Sequence, residues 1–248
     1  MPEKKITLDR YFSKKGVGSR KIAEAWILNG EVSVNGRVVT DPTRWVDPEL
    51  DVVLRAEARV THTEFHTLLL YKKRGLVTTA SDEKGRPTVF DGLPDGLPHL
   101  HAVGRLDQAT SGLIFLTNSN ILSAYLTDPA NRIPRIYLAT VLGEWKQEYS
   151  YSLERGVKID DELLRIEKCE LRKKSKKESH LVITLMEGKN REIRRMTSHF
   201  RCPVSKLKRV QYGSFTLDKL APGEFKEISK SEVLDAFPGV KLRLSKSS

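Results

Sequence analysis

Asp107 is the residue of this sequence best placed to do chemistry. It lies two residues after Arg105 in the segment HAVGRLDQATSGLIFLTN, between Gly104 and Gly112. An apolar run follows, and a rigid strand after a glycine-bracketed loop presents one side chain at fixed geometry. A carboxylate held in this way can attack an electrophilic carbon or stabilise a positively charged intermediate. An aspartate beside turn residues can also close an Asx-turn or cap a helix, and the segment alone leaves both interpretations open.

The charge of the chain indicates a polyanionic partner. Its 248 residues carry a net charge of +11, with a pI near 9.6. The segment Arg165–Arg209 holds 15 Lys and Arg against 5 Asp and Glu, so that +10 of this charge lies there. Such concentration favours nucleic acid as the partner. No apolar run approaches the ~20 residues of a membrane span, and no lipid anchor or amphipathic helix accompanies the basic region, so we expect no membrane attachment.

The cysteines and histidines indicate the compartment and argue against a metal site. Cys169 and Cys202 form neither a metal-ligand pair nor a disulfide framework, and the start MPEKKITLDRYF has no apolar signal region. We therefore expect a reducing cytosol and a cytoplasmic protein. The histidines have no metal-binding spacing, and no Walker loop or dinucleotide fingerprint is present.

The chain is predicted to form two domains, over residues 1–58 and residues 67–240. Residues 241–248 are predicted to form a disordered tail. In the first domain, Ser19 is a plausible N-cap for a helix, and Asn35-Gly36 predicts a two-residue hairpin. Residues 56–66 have no clear periodicity and read as a linker. The overall class is α+β, with a small α/β domain and a larger domain built on a mixed, mostly antiparallel sheet with flanking helices.

Several elements of the larger domain can be predicted individually. Leu68–Tyr71, Arg135–Val141 and Leu181–Leu185 read as strands. Ser229 and Glu232 fit a capping box for a final helix. The basic run RKKSKK lies between strand-like segments and predicts the tip of a surface hairpin.

The first domain resembles a known RNA-binding module. The arrangement SRKIAEAWILNGEVSVNGRVV, with a G-x-V-x-V-N-G hairpin, is similar to the small domain named after ribosomal protein S-four. The resemblance implies that Arg10, Arg20, Lys21 and Arg37 grip an RNA backbone. Binding of this kind is sensitive to salt.

The segment around Asp107 resembles the catalytic segment of the pseudouridine synthases of the RsuA/RluB type. The shared string is G-R-L-D-x-x-T-S-G-L-I-x-L-T-N, and it matches at nearly every position. The resemblance implies that Asp107 is the catalytic carboxylate and that Arg105 helps hold a flipped-out RNA strand. Tyr137, in PRIYLATV, matches the tyrosine of the family that stacks on the base.

Two further segments extend the resemblance. EGKNREIRRM is similar to E-G-x-x-R-x-x-R-R-M, which implies Arg194 as the basic partner of Asp107, with Arg195 as the adjacent alternative and with Lys189 and Arg191 meeting phosphate. We expect a helix from about Asn190. VSKLKRVQYGSFTL resembles the strand that follows in the family. It implies Leu207 beneath the active site and the basic side chains facing RNA, namely Lys206, Lys208 and Arg209.

One motif departs from the family pattern. Where the family usually has N-K-P-x-G, this chain has Tyr71–Gly75, YKKRG, so the asparagine and the proline are missing while Lys72 and Gly75 remain. Proline stiffens a turn, and its loss is expected to loosen the loop without removing a catalytic group.

The resemblance implies an enzyme that isomerises one uridine of ribosomal RNA to pseudouridine. Nothing is added or lost in this reaction, so no cofactor is expected. The strings ILSAYLTDPANRIPRIYL and VSKLKRVQYG resemble more closely the branch of the family that modifies 23S rRNA, with 16S rRNA as the alternative substrate. The expected partners are ribosomal RNA or pre-ribosomal particles, and the expected state is a monomer. Two alternatives are a noncatalytic RNA-binding factor for ribosome assembly and a base-excising glycosylase, which would release free uracil.

Overall fold

The computed structural model describes residues 5–61 and 63–242. These residues divide into a smaller unit, formed by the chain up to His66 together with residues 94–101 and 118–120, and a larger unit that contains the remainder. Most of the expected tail, residues 243–248, lies outside the described residues. None of the helices within the described ranges has the length and hydrophobicity that a membrane crossing requires.

The smaller unit packs two helices around an apolar core with short antiparallel strands. Its elements are β1 (Ile6–Thr7), α1 (Leu8–Lys15), α2 (Arg20–Leu28), β2 (Val32–Val34), β3 (Arg37–Val38), β4 (Trp45–Val46), β5 (Val53–Arg55) and β6 (Ala58–Arg59). The sheet order is β3-β2-β5-β6, and β1 pairs with β4. The Ser19 hydroxyl accepts a hydrogen bond from the Ile22 backbone N–H, and Asn35 and Gly36 both have positive φ in the β2–β3 turn. The predicted cap and hairpin are therefore confirmed.

Nearly all residues of the remaining strands and α-helices lie in the larger unit. These elements are β7 (Thr67–Lys72), β8 (His101–Ala102), β9 (Thr110–Thr117), α3 (Asn120–Thr127), β10 (Arg135–Leu142), α4 (Gln147–Arg155), β11 (Val157–Ile159), β12 (Glu162–Leu164), β13 (Lys168–Lys174), β14 (Glu178–Leu185), α5 (Glu192–His199), β15 (Val204–Tyr212), β16 (Phe215–Thr216), β17 (Phe225–Glu227) and α6 (Lys230–Ala236).

The main sheet of this unit has the order β13-β14-β10-β15-β9-β7-β17. Along this path the neighbouring strands are antiparallel except β9 and β15, which run parallel. Gly112 makes this parallel contact close: its φ is 112°, and a Cβ atom there would collide with the backbone of Arg209. The predicted α+β class with a mostly antiparallel sheet is confirmed.

The predictions for individual helices, turns and linkers agree with the structure at some positions and differ at two. The predicted capping box of α6 is present, with Ser229 and Glu232 in reciprocal hydrogen bonds. The basic run spans the end of β13 and the turn to β14. Helix α5 begins at Glu192, not near Asn190, because Arg191 has a left-handed φ of 47° that a right-handed helix excludes. The expected linker contains a short strand, β6, which pairs with β5.

Candidate active site

Asp107 lies on the turn that leads into β9, and hydrogen bonds fix the backbone of this turn. The Thr110 N–H donates to the Asp107 carbonyl at 2.9 Å, and the Thr78 hydroxyl donates to the Leu106 carbonyl at 2.8 Å. The apolar residues that follow Gly112 on β9 are fully buried, so the strand anchors the turn in the core. This segment presents the Asp107 side chain, which remains 33% exposed.

Lys72 supports the turn through hydrogen bonds to backbone carbonyls, a role that the sequence did not predict. Its side chain is fully buried, and Nζ donates to the carbonyls of Thr110 at 2.6 Å, Asp107 at 3.1 Å and Lys73 at 3.2 Å. Burial lowers the pKa of Lys72 to about 8, against the attraction of Asp107. Hydrogen bonds also join Gly75 to Gln108 in both directions, so the altered YKKRG segment is tied directly to the Asp107 turn.

Two arginines contact the carboxylate of Asp107. Oδ2 lies 3.4 Å from Nε of Arg194 and 3.3 Å from Nη1 of Arg191. Arg194 also donates to the Thr110 hydroxyl at 3.2 Å, and burial is the largest cause of its lowered pKa, which Asp107 opposes. The structure therefore brings Arg194 to Asp107, as expected, and adds Arg191, which we expected to meet phosphate.

The register of α5 separates Arg194 from Arg195. The apolar side of the helix, with Ile193 and Met196, is buried. Successive residues of a helix are rotated by about 100°, so Arg195 points away from Asp107. It instead contacts Glu162 at 2.6 Å on the β11–β12 hairpin. The adjacent alternative left open by the sequence is therefore not the partner of Asp107 in this structure.

Tyr137 and Arg209 face each other across β10 and β15. The hydroxyl of Tyr137 accepts a hydrogen bond from Nη1 of Arg209 at 3.4 Å, and Arg209 also donates to the Leu113 carbonyl at 2.7 Å. Arg209 is only 3% exposed. The expectation that its side chain faces RNA is therefore corrected: β15 directs it into the fold, because residues of one strand alternate between the two faces of the sheet.

A cavity of about 410 Å³ lies in front of these groups. Asp107, Arg194, Tyr137 and Arg209 all line it, and Leu207 contributes an apolar wall. Arg105 lines the same cavity and is exposed, as its expected contact with RNA requires. The site thus combines one ion-paired carboxylate, an aromatic side chain and several cations in a space that can hold a small planar ring.

Glu192, the first residue of α5, is a buried carboxyl at the edge of this cavity that sequence analysis did not single out. It is 2% exposed; Oε2 accepts a hydrogen bond from the Lys189 backbone N–H at 3.2 Å, while Oε1 has no hydrogen-bond partner. Burial raises the pKa of Glu192 to about 7, and the negative charge of Glu187 adds to the effect.

The other expected RNA-contacting residues are distributed over several surfaces. The charge of Lys189 is compensated by Glu187 and Glu162, so this side chain is less available to phosphate than expected. Lys206 and Lys208 line a second cavity. In the smaller unit Arg10, Lys21 and Arg37 are exposed, as is Arg20, which pairs with Asp9 at 2.6 Å. Within residues 5–61 and 63–242, no group of three or more His, Cys, Asp or Glu side chains is arranged to hold a metal.

The chain is similar to known protein families, to curated sequences and to a solved structure. Residues 66–199 match the RNA pseudouridylate synthase family, and residues 6–52 match the S4 domain. A protein of Rickettsia bellii called an uncharacterized RNA pseudouridine synthase is 37% identical over 223 residues, which are 90% of this chain and 96% of the relative. One of Mycobacterium bovis with a similar name is 34% identical over 241 residues, covering 96% and 95%. A crystal structure of a pseudouridylate synthase superposes with a TM-score of 0.66 and 25% identity, over 93% of this chain and 99% of the other.

Proposed function

The chain belongs to the RNA pseudouridylate synthase family, and on that premise we propose that it isomerises one uridine of ribosomal RNA with Asp107 as the catalytic carboxylate. The observation that carries this proposal is the ion pair between Asp107 and Arg194 in a cavity that Tyr137 also lines. We favour 23S rRNA as the substrate, on the two sequence strings given above, with 16S rRNA as the alternative.

The reaction breaks the N-glycosidic bond of the uridine, rotates the base and joins it to the ribose through carbon 5. The proton on carbon 5 is lost and nitrogen 1 regains one, so the atoms balance without a cofactor. Asp107 can take part either by attacking the nucleotide or by stabilising the sugar cation. Both steps use an oxygen of this carboxylate, and the guanidinium of Arg194, 3.4 Å from Oδ2, helps to hold the side chain in position.

Tyr137 is proposed to hold the detached base. Its ring lines the cavity while Arg209 binds its hydroxyl at 3.4 Å, which fixes the orientation of the ring. Stacking of a base on an aromatic ring contributes about 1–3 kcal/mol. The target uridine has to leave its stack to enter this cavity, which the exposed Arg105 also lines.

We further propose that the smaller unit docks ribosomal RNA or a pre-ribosomal particle in the cytoplasm, through Arg10, Lys21 and Arg37, and that the protein acts as a monomer. These side chains are exposed and carry no carboxylate partner within the described part of the chain. The proposed domain bounds are 1–58 and 67–240. The S4 match over residues 6–52 supports the first domain, whereas residues 94–101 and 118–120 cluster with the smaller unit.

The proposal is tested by incubating unmodified rRNA with the wild-type protein and with Asp107→Asn, followed by nucleoside mass spectrometry and site mapping. Pseudouridine at one site with the wild type alone supports the enzyme and its carboxylate. Free uracil would indicate a glycosylase instead. RNA binding without product, on free rRNA and on partly assembled subunits, would favour the noncatalytic assembly factor.

A further inference from the structure

The hairpin of β13 and β14 ends in the densest group of cations in the chain. Residues 172–177 form its tip, RKKSKK, which contributes five cations in six positions, and all six residues are exposed. Neither the proposed reaction nor the docking by the smaller unit uses them. A run of this kind can serve solubility alone, so its neighbours and its conformation decide whether it can also bind a ligand.

Three of the five cations have no carboxylate partner. Arg172 and Lys174 contact neighbouring glutamates, at 3.8 Å and 2.9 Å. In contrast, Lys173, Lys176 and Lys177 form no ion pair with any Asp or Glu in the part of the chain that the structure describes. The tip therefore retains three positive charges that a polyanion can neutralise.

Hydrogen bonds hold the turn at the tip in one conformation. The Ser175 hydroxyl accepts hydrogen bonds from the backbone N–H groups of Lys177 at 3.3 Å and Glu178 at 3.1 Å. The Lys177 carbonyl accepts one from the Gly143 N–H at 2.8 Å, which ties the tip to the end of β10. Solubility needs no fixed turn, whereas a binding surface gains affinity when its groups are already arranged.

The tip is remote from the cavity that contains Asp107. Tyr137, which lines that cavity, is opposite Ile183 on β14, and Lys176 precedes Ile183 by seven residues. At about 3.3 Å per residue, this part of the hairpin spans about 20 Å. Successive phosphates of a duplex strand advance by about 3.4 Å along the axis, so a phosphate at the tip lies about six or more nucleotides from the target, or on another helix.

We propose that the β13–β14 tip binds the phosphate backbone of an RNA duplex segment separate from the target uridine, through Lys173, Lys176 and Lys177. This inference rests on the proposed function, because it concerns the RNA that carries that uridine. No Phe, Tyr or Trp is present from Lys168 to Ser179, so the hairpin offers no ring on which an unpaired base could stack. The phosphates of a duplex can be contacted without such rings and without reading the bases.

The test compares two triple variants with the wild type. The tip variant is Lys173→Gln/Lys176→Gln/Lys177→Gln, and the matched variant is Lys84→Gln/Lys219→Gln/Lys241→Gln. The matched lysines are exposed and lie outside this hairpin, so both variants lose the same charge. Binding of an RNA stem-loop of about 16 base pairs is measured by fluorescence anisotropy between about 50 and 200 mM salt. Melting temperatures establish that both variants remain folded.

Each phosphate contact to a duplex contributes about 0.9 to the slope of log K against log salt. The tip variant should therefore lose between about 2 and 3 from the slope, while the matched variant stays near the wild type. Equal slopes for the two variants would overturn the inference. A larger loss on a single strand of about 12 uridines than on the stem-loop would also overturn it, because the tip would then bind an unpaired strand.

Pseudouridine formation on unmodified rRNA is measured separately. The tip variant should raise KM and leave kcat unchanged, because the tip does not reach the reacting nucleotide. A lower kcat with unchanged KM would contradict a remote binding role. Product from the wild type with equal salt slopes refutes the tip alone, whereas a slope difference without product refutes the proposed activity alone.

Discussion

Glu192→Gln should change how the stability of the larger unit depends on pH. In the folded protein the carboxyl is 2% exposed, with one hydrogen bond to the Lys189 backbone and one oxygen without a partner. Glutamine has nearly the same shape and keeps an oxygen that can accept that bond. The substitution therefore removes the titration of this position and little else.

The magnitude follows from the pKa of Glu192, which burial raises from 4.5 to about 7. A carboxyl with a raised pKa binds its proton more tightly in the folded state. Its favourable contribution is therefore complete below pH 4.5 and is lost as the pH rises to about 7. At about 1.4 kcal/mol per pH unit, the wild type should lose about 3 kcal/mol relative to Glu192→Gln over this window.

Urea unfolding at a series of pH values measures this difference. Trp145 is fully buried in the larger unit and reports its unfolding by fluorescence, once Trp26 and Trp45 of the smaller unit are replaced by phenylalanine. Glu187→Gln is a second variant: because Glu187 also raises the pKa of Glu192, its removal should narrow the pH window.

A difference in unfolding free energy between wild type and Glu192→Gln that stays constant from pH 4.5 to pH 7 would refute the reasoning. It would mean that Glu192 titrates equally in the folded and unfolded states, in spite of its burial.

Substitutions at three other positions test the site. Arg194→Met should lower kcat about 100-fold, because the ion pair that orients Asp107 is lost. Arg194→Lys should recover part of the lost rate. Single-turnover kinetics on rRNA measures the rate of each variant. Tyr137→Leu should lower kcat/KM by the equivalent of about 1–3 kcal/mol of transition-state binding. Tyr137→Phe loses only the hydrogen bond to Arg209, so its loss in kcat/KM should be smaller. Equal losses for the two variants would contradict a stacking role. Lys72→Met should destabilise the larger unit by about 3 kcal/mol in urea unfolding, because three carbonyls lose a charged donor; an unchanged midpoint would contradict its role beneath the Asp107 turn.

The residues predicted well from the sequence lie in continuous motifs. The turn around Asp107 and the segment EGKNREIRRM are continuous strings, and their resemblance to the family's motifs implied that Arg194 is the partner of Asp107; the two side chains lie 3.4 Å apart in the structure. The cap at Ser19 and the capping box at Ser229 are also local, since the bonded groups are three residues apart.

The residues predicted poorly depend on long-range partners. Arg209 is expected from the sequence to face RNA together with Lys206 and Lys208, but β15 directs its side chain to the opposite face of the sheet, where its hydrogen bonds reach Leu113 and Tyr137. The contact between Arg191 and Asp107 requires the left-handed conformation of Arg191, for which a non-glycine sequence offers no clear signal. The role of Lys72 beneath Asp107 depends on the pairing of β7 with β9.

The most direct test of the central claim is pseudouridine mapping on unmodified rRNA with the wild-type protein and with Asp107→Asn. We expect one new pseudouridine, on 23S rRNA, formed by the wild type alone. The RNA affinity of the variant should stay within a few fold of the wild type, since the carboxylate acts chiefly in the transition state. Full turnover by Asp107→Asn would contradict the assignment of Asp107 as the catalytic carboxylate.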